Sequence, residues 1–266
     1  MRLGDVTNPD AIPFGKPLDG VTILAVEQMQ ALPFATQMLA RFGASVVKVE
    51  QPGAGESGRG STPAMIQPDG SSAGATFLRN NLDKRSLAVD IKHPKGRELL
   101  LALAPRFDVF AENFKSGAMN RMGLGYADVA AVAERTIYLS VSGFGNLAES
   151  PYAGWGAYAP IVEAMSGVYQ YKAGPDAAPV TAPVGALGDI SSAMFAVIGV
   201  LTALMHRERT GLGQYVDVAM FDSMIAMTDL VTNFWSMGQH EGAHGNRLIM
   251  HGFRASDGWF VLQVGR

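Results

Sequence analysis

The sequence predicts an α/β fold, a parallel sheet flanked by helices, and three observations carry that prediction. Short β-branched apolar runs such as Val21-Thr-Ile-Leu-Ala-Val26 and Ser45-Val-Val-Lys-Val-Glu50 alternate with segments of helical period. Strands buried on both faces read as continuous runs of this kind. The joints are short, as right-handed strand–helix–strand units require. Finally, the 266 residues are 48% hydrophobic and 17% charged, enough apolar material to bury a full core.

Taken in order, residues 1–17, with Pro9, Pro13 and Pro17, read as an irregular leader, and 18–238 as one large domain. The first strand is 21–26. A helix over 33–42 follows, with Phe34, Met38, Leu39 and Phe42 on one face and Gly43 at its end. Residues 45–50 are the second strand. The segment 52–75 is rich in Gly, Pro and Ser, lacks periodicity and is read as a long surface loop. A strand is expected over 86–91, leaving Lys84-Arg85 ahead of it. His93-Pro-Lys-Gly-Arg opens a helix reaching Ala104, with Pro94 in the first turn.

Strands over 108–112 and 136–142 enclose helical pieces at 117–122 and 126–134. A short helix is expected at 161–168, then a polar loop. The stretch 183–206 reads as a Gly-rich approach, the acid Asp189, and an almost wholly apolar helix over 190–206. A last strand at 214–220 and a Met-rich helix at 221–237 close the domain. In 239–266, Phe253-Arg-Ala and Trp259-Phe-Val-Leu-Gln-Val flank Ser-Asp-Gly, a hairpin in which Asp257-Gly258 would supply positive φ. A lone hairpin is marginal, so this segment is read as a linker and the start of a smaller second domain, incomplete at Arg266.

The net charge of −3 leaves no electrostatic footprint for nucleic acid. The absence of cysteine excludes disulfides, thiolate catalysis and Cys-based metal sites. The N-terminus carries no apolar signal core, and the longest apolar run, 193–205, is shorter than the ~18 residues of a membrane span. A soluble, cytoplasmic protein without membrane partners is expected.

Several motifs fall away on inspection. Gly53-Ala-Gly-Glu-Ser-Gly58 fits a dinucleotide fingerprint, but Pro52, acidic Glu56 and Arg59-Gly-Ser-Thr-Pro63 make a poor phosphate-binding helix start. His240 and His244 have helical spacing but lack a third ligand, so no metal is expected. No nucleophile elbow precedes a helix. What remains are basic residues near strand ends, Lys48, Lys84, Arg85 and Arg121, and the pair Asn113-Phe114 directly after a strand, where open sheets bind ligands. Asp189, locally, reads either as a helix cap or as a carboxylate placed for chemistry.

These pieces, in order, resemble the class III CoA-transferase family. The resemblance runs from Leu18-Asp-Gly-Val-Thr-Ile-Leu through Ala31-Leu-Pro-Phe-Ala-Thr-Gln and Asp83-Lys-Arg-Ser-Leu-Ala-Val-Asp90 to Glu112-Asn-Phe-Lys-Ser-Gly-Ala-Met-Asn-Arg-Met-Gly123. It continues at Ser140-Val-Ser-Gly-Phe-Gly145, Gly185-Ala-Leu-Gly-Asp189 and Arg209-Thr-Gly-Leu-Gly-Gln-Tyr-Val-Asp-Val-Ala-Met220. It implies a Rossmann-like large domain, a smaller second domain and an interlocked homodimer. It also implies acyl-CoA and carboxylic acid substrates, with coenzyme A as the carried group and no metal. Asp189 would be the nucleophile, forming a mixed anhydride and then an aspartyl-CoA thioester. Coenzyme A would be held by Gln28, Gln30, Ala31, Lys84, Asn113, Phe114, Arg121 and Met122. Gln51 stands where relatives often carry a basic residue, and Gln28 where some carry His. The same superfamily holds acyl-CoA racemases, but their His position falls on Tyr158, and tyrosine, ionising near pH ~10 in water, is a poor base. A CoA-binding module without activity is the alternative from another class. As a cap, Asp189 would also be kept ionised by the helix dipole.

Overall fold

The structure, a computed structural model, describes residues 4–147, 149–169, 178, 181, 185–228, 233, 235–238 and 249–264. In chain order the elements are β1 (Thr22–Val26), α1 (Ala31–Arg41), β2 (Ser45–Glu50), β3 (Ala64–Ile66), β4 (Ser72–Gly74), α2 (Ala75–Asn80), β5 (Lys84–Ala88) and α3 (Pro94–Leu103). They continue with β6 (Val109–Glu112), α4 (Ala118–Arg121), α5 (Tyr126–Val132), β7 (Ile137–Ser142) and α6 (Ala159–Met165). The chain then forms α7 (Leu187–Thr210), β8 (Tyr215–Ala219), α8 (Met220–Ala226), β9 (Ile249–Arg254) and β10 (Trp259–Val264).

Six strands form one parallel sheet in the order β5-β2-β1-β6-β7-β8. Successive strands run outward from β1 to one edge, then from β6 to the other. The topology therefore switches between β1 and β6, and a crevice opens beyond their carboxyl ends. Side-chain alternation sorts the core into two layers. Ile23, Ala25, Val109, Ala111, Ile137, Leu139 and Val141 join Leu32, Leu39, Ala193, Ala196, Val200 and Val162 on one face. Leu24, Val26, Phe110 and Tyr138 join Leu100, Met119, Leu124 and Val129 on the other.

The central helix α7 has 24 residues and enough apolar character to cross a bilayer, with a mean hydropathy of 1.8 over its best window. Its small residues Ala193, Ala196 and Ala203 are fully buried, so it serves as a core helix packed on α1, α6 and α8. His93 caps α3 by accepting the Lys95 N–H, with Pro94 in the first turn, as the sequence predicts.

Several expectations change. The segment 52–75 is not structureless: it holds a 3₁₀ turn (Ser57–Gly60) and the β3–β4 hairpin, and leads into α2. Short elements of three or four residues carry no readable period. The strand expected at 86–91 is β5, two residues earlier, so Lys84 and Arg85 belong to it. Helix α1 is buried almost all round rather than on one face, since α7 and α2 cover it; Phe34 is only partly buried. Helix α8 ends at Ala226, whereas the expected helix ran to 237; positions 229–232 and 234 lie outside the described residues. The β9–β10 hairpin forms, but through a four-residue connection closed by Ala255 N–H to Gly258 O, and Gly258 does not take positive φ. His240 and His244 lie outside the described residues.

Candidate active site

The crevice at the β1/β6 switch is a cleft of about 310 Å³. Its walls include Gln28, Gln30 and Ala31 after β1, Asn113 and Phe114 after β6, and Asp189 from α7. Six of the nine residues singled out from sequence thus meet in one place. A second groove of about 220 Å³ shares Gln28, Ser57 and Phe114 with the cleft and reaches Gln51 and Lys92.

The loop after β1 is held rigidly. The Asn113 side chain accepts the Gln28 N–H at 2.9 Å and donates to the Gln28 carbonyl at 2.9 Å, tying the two switch-point loops together. Met29 sits at φ 61°, a region non-glycine residues rarely occupy, and its N–H is fixed by Glu56 at 2.9 Å. The same Glu56 carboxylate accepts the Gly58 N–H, so an acid fills the spot where a dinucleotide loop would hold phosphate. Gln30 Nε2 is buried and lacks a hydrogen-bond partner, a donor available to a bound molecule.

Beneath this loop lies a buried ionic cluster. Lys84 Nζ donates to Glu27 at 2.7 Å, to the Pro33 carbonyl at 2.8 Å and to Asn81 at 3.1 Å. Lys48 lies 3.8 Å from Glu27 and 3.6 Å from Glu56. Burial pushes the Lys84 ammonium down to about 8 against the opposing pull of Glu27. Beside this cluster, Arg59 grips Glu50 through two nitrogens at 2.6 and 2.8 Å, and Glu50 is held down at about 2 by those bonds and Ser86 in spite of its burial. Lys84 is therefore engaged within the protein and does not line the cleft; nor do Arg121, exposed at the end of α4, and Met122, packed in the core layer.

On the other side of the switch, Glu112 ends β6 fully buried. It accepts from Ser140 Oγ at 2.5 Å and from the Phe114 N–H at 2.8 Å, orienting the aromatic residue of the cleft. Burial drives Glu112 up to about 7, with Asp217 adding a like charge.

Asp189 occupies the first turn of α7, not its cap. The cap position is Ala186, in the left-handed region at φ 46°, and no side chain of the turn caps the helix. Glu163 of α6 does so instead, accepting the Gly188 N–H at 3.0 Å. A Cβ on Gly188 would come within 2.6 Å of Val162 Cγ2 and 3.0 Å of Ala159 Cα, so glycine is what lets the turn sit on α6. Asp189 has neither a hydrogen bond nor a cation partner among the described residues. Burial, and then the Glu163 charge, raise it to about 6. Desolvation thus outweighs the helix dipole that the cap reading invokes, and leaves Asp189 above the ordinary aspartate range.

Sequence reasoning missed Lys115 and Lys92. Lys115 follows Phe114 on the cleft wall, and Lys92 follows β5 along the adjoining groove. The strand expected over 86–91 already put Lys92 directly after its end, where the strand-end rule that selects Asn113 selects Lys92 as well; the observed β5 ends earlier, at Ala88. Trp155 and Tyr158, 57% and 71% exposed, form an aromatic wall of the cleft; the family resemblance singles out Tyr158 only as the racemases' His position and says nothing of Trp155. Among the described residues no group of three His, Asp or Glu could hold a metal ion.

A switch-point cleft in a doubly wound sheet, with a lone carboxylate at a Gly-rich helix start, defines a class of ligand-binding α/β proteins with a placed acid. Residues 18–266 match the CoA-transferase family III profile, and the chain belongs to that family. It is 36% identical over 255 residues to succinyl-CoA:glutarate CoA-transferase of Mus musculus, covering 94% of this chain and 57% of the relative. It is also 36% identical over 252 residues to succinyl-CoA:mesaconate CoA-transferase of Haloarcula hispanica, covering 92% and 63%. Among solved structures it resembles a CAIB/BAIF family protein from Brucella suis, with TM-score 0.81 and 34% identity, covering 94% of this chain and 66% of that one. The chain thus spans just under two thirds, or less, of the length of these relatives.

Proposed function

We propose that the chain moves coenzyme A from an acyl-CoA thioester to a free carboxylic acid, with Asp189 as the nucleophile. One observation carries this reading: Asp189, without a hydrogen bond or cation partner among the described residues and raised to about 6, lines the same cleft as the tied loops of the switch point. At pH 7 a carboxylate with that affinity for protons is ionised in roughly nine molecules of ten, and it is a stronger nucleophile than an ordinary aspartate.

In the first step an Asp189 oxygen attacks the thioester carbonyl; the C–S bond breaks and CoA leaves as thiolate, giving a mixed anhydride. The thiolate then attacks the Asp189 carboxyl carbon, which becomes an aspartyl-CoA thioester as the donor acid leaves as carboxylate. An acceptor carboxylate runs the two steps in reverse. Electrons and protons balance at each stage without a metal or an oxidant. Gln30 Nε2 is the donor available to the oxyanion that develops. Lys115 and Lys92 supply positive charge for the CoA phosphates, and Phe114 an apolar face for its adenine. The relatives named above act on succinyl-CoA with glutarate or mesaconate, so short dicarboxylic acids head the list of acceptors. The homodimer implied by the family resemblance belongs to the same proposal, and analytical ultracentrifugation tests it.

The activity test is mass spectrometry of products after incubation with a panel of acyl-CoAs and acids. New acyl-CoA in the presence of a second acid is expected. Deuterium entering the α-carbon without a second acid would instead point to racemase chemistry, and CoA binding without exchange to an inactive binding module.

A further inference from the structure

Glu163 is 2% exposed on α6, a position where an acid without a cation is unfavourable. Among the described residues no Lys, Arg or His forms an ion pair with it. Its two oxygens are taken by the Gly188 N–H at 3.0 Å and by the Tyr169 hydroxyl, and its own carbonyl accepts from Ser166 Oγ at 2.7 Å. The carboxylate is thus fixed against the turn that presents Asp189, and the close seat of Gly188 on Val162 and Ala159 leaves it little freedom.

No other element packed on α7 offers Asp189 a comparable charge. The titratable residue of α8 is Asp222, exposed; those of β8 are Tyr215 and Asp217, the latter holding the Asn146 and Leu147 N–H groups. β7 carries Tyr138, which donates to the Leu124 carbonyl, and α1 carries only Arg41 at its last residue. Within the cleft the titratable neighbours are Lys115 and Tyr158.

We propose that Glu163 is the positioning residue of the nucleophilic turn: from α6 it holds the Gly188 N–H and sets a second buried carboxylate against the turn that presents Asp189. Two carboxylates placed together repel, and the one facing the cleft responds by binding its proton more tightly. A more basic carboxylate attacks a thioester faster so long as it stays ionised at working pH. A glutamine would keep an acceptor for Gly188 but remove the charge. The inference deepens the transferase reading and rests on it for its catalytic meaning.

The test is carboxyl ¹³C NMR titration of the aspartate-labelled full chain, with Asp189→Asn assigning the signal, alongside the pH profile of transfer. In Glu163→Gln the Asp189 midpoint should fall by roughly half a pH unit or more, the acid limb of kcat should move with it, and the plateau rate should drop about three- to tenfold. In Glu163→Asp, which keeps the charge but shortens the reach to Gly188, the midpoint should stay near that of the parent. An unchanged or raised midpoint in Glu163→Gln, or an equal fall in both variants, would overturn the proposal. Because the NMR midpoint is read without turnover, a parent protein that transfers no CoA would sink the transferase reading separately.

Discussion

At the carboxyl ends of its strands the sheet treats buried charge in opposite ways on its two sides, while at the amino end of β6 Asp108 is paired with the buried Arg207. In the β5-β2-β1 half, Glu27, Glu50 and Glu56 each lie within reach of a cation, Lys84, Lys48 or Arg59, and the cluster fixes the loop after β1. Beside β6 and α7, Glu112, Glu163 and Asp189 are buried or half-buried, and among the described residues they have only hydrogen-bond donors or no partner at all. The consequences differ accordingly. Paired charges hold Glu50 down at about 2 and lock geometry, whereas Asp189 and Glu112, without a cation partner among the described residues, ride up to about 6 and about 7. A scaffold wants the first kind of acid; a nucleophile that must attack and later leave wants the second.

Breaking the second kind should have the largest effect on activity. Asp189→Asn should lower transfer by about 10³-fold or more, read by product mass spectrometry. The same change should leave the fold intact and raise its melting temperature, since it removes a half-buried charge without a cation partner among the described residues.

Breaking the first kind should act on stability. Lys84→Met leaves Glu27 with the Thr36 hydroxyl and, as a cation, the more distant Lys48, and should cost about 3–5 kcal/mol in urea denaturation. The double variant Glu27→Gln/Lys84→Met should recover much of that loss. Full additivity of the two single changes would mean the pair is not coupled.

A third variant separates the halves by pH. Glu112 binds its proton more tightly in the fold, about 7, than in the unfolded chain, near 4.5. Between those values the native state holds more protons, so stability falls as pH rises from 4.5 to 7 and is level beyond. Glu112→Gln should match the parent at pH ~5 and exceed it by about 1–3 kcal/mol at pH ~8. No comparable gain is expected from Glu50→Gln, whose acid is held below its ordinary range: that variant should lose stability at neutral pH. The smallest effect is expected at the exposed cations. Lys92→Ala and Lys115→Ala should each raise KM for acyl-CoA roughly three- to tenfold, more at low salt, with kcat little changed.

Much of this was legible in the sequence because burial on both faces writes itself as continuous apolar runs; β1, β2, β6, β7 and β8 fell within a residue or two of expectation. Asn113-Phe114 was legible for a topological reason, since residues after a strand face the switch-point crevice, whereas Gln28 came only from the family resemblance. Lys84 illustrates what is not legible. Its partners Glu27, Pro33 and Asn81 are 57, 51 and 3 residues away in sequence, and no local pattern tells a lysine in an ionic cluster from one on a cleft wall. The cap of α7 failed for the same reason: the acid that holds Gly188 is on another helix, 25 residues upstream, so Asp189 beside it looked like the obvious candidate.

The proposed transfer turns on the Asp189 carboxylate as the group that takes the acyl moiety. The direct measurement is hydroxylamine trapping of the full chain during exposure to a succinyl-CoA donor, followed by peptide mass spectrometry. A hydroxamate on the peptide containing Asp189, dependent on acyl-CoA and missing in Asp189→Asn, is the predicted result. Transfer that continues with no modification at Asp189, or with the hydroxamate on another carboxylate such as Glu163, would contradict it.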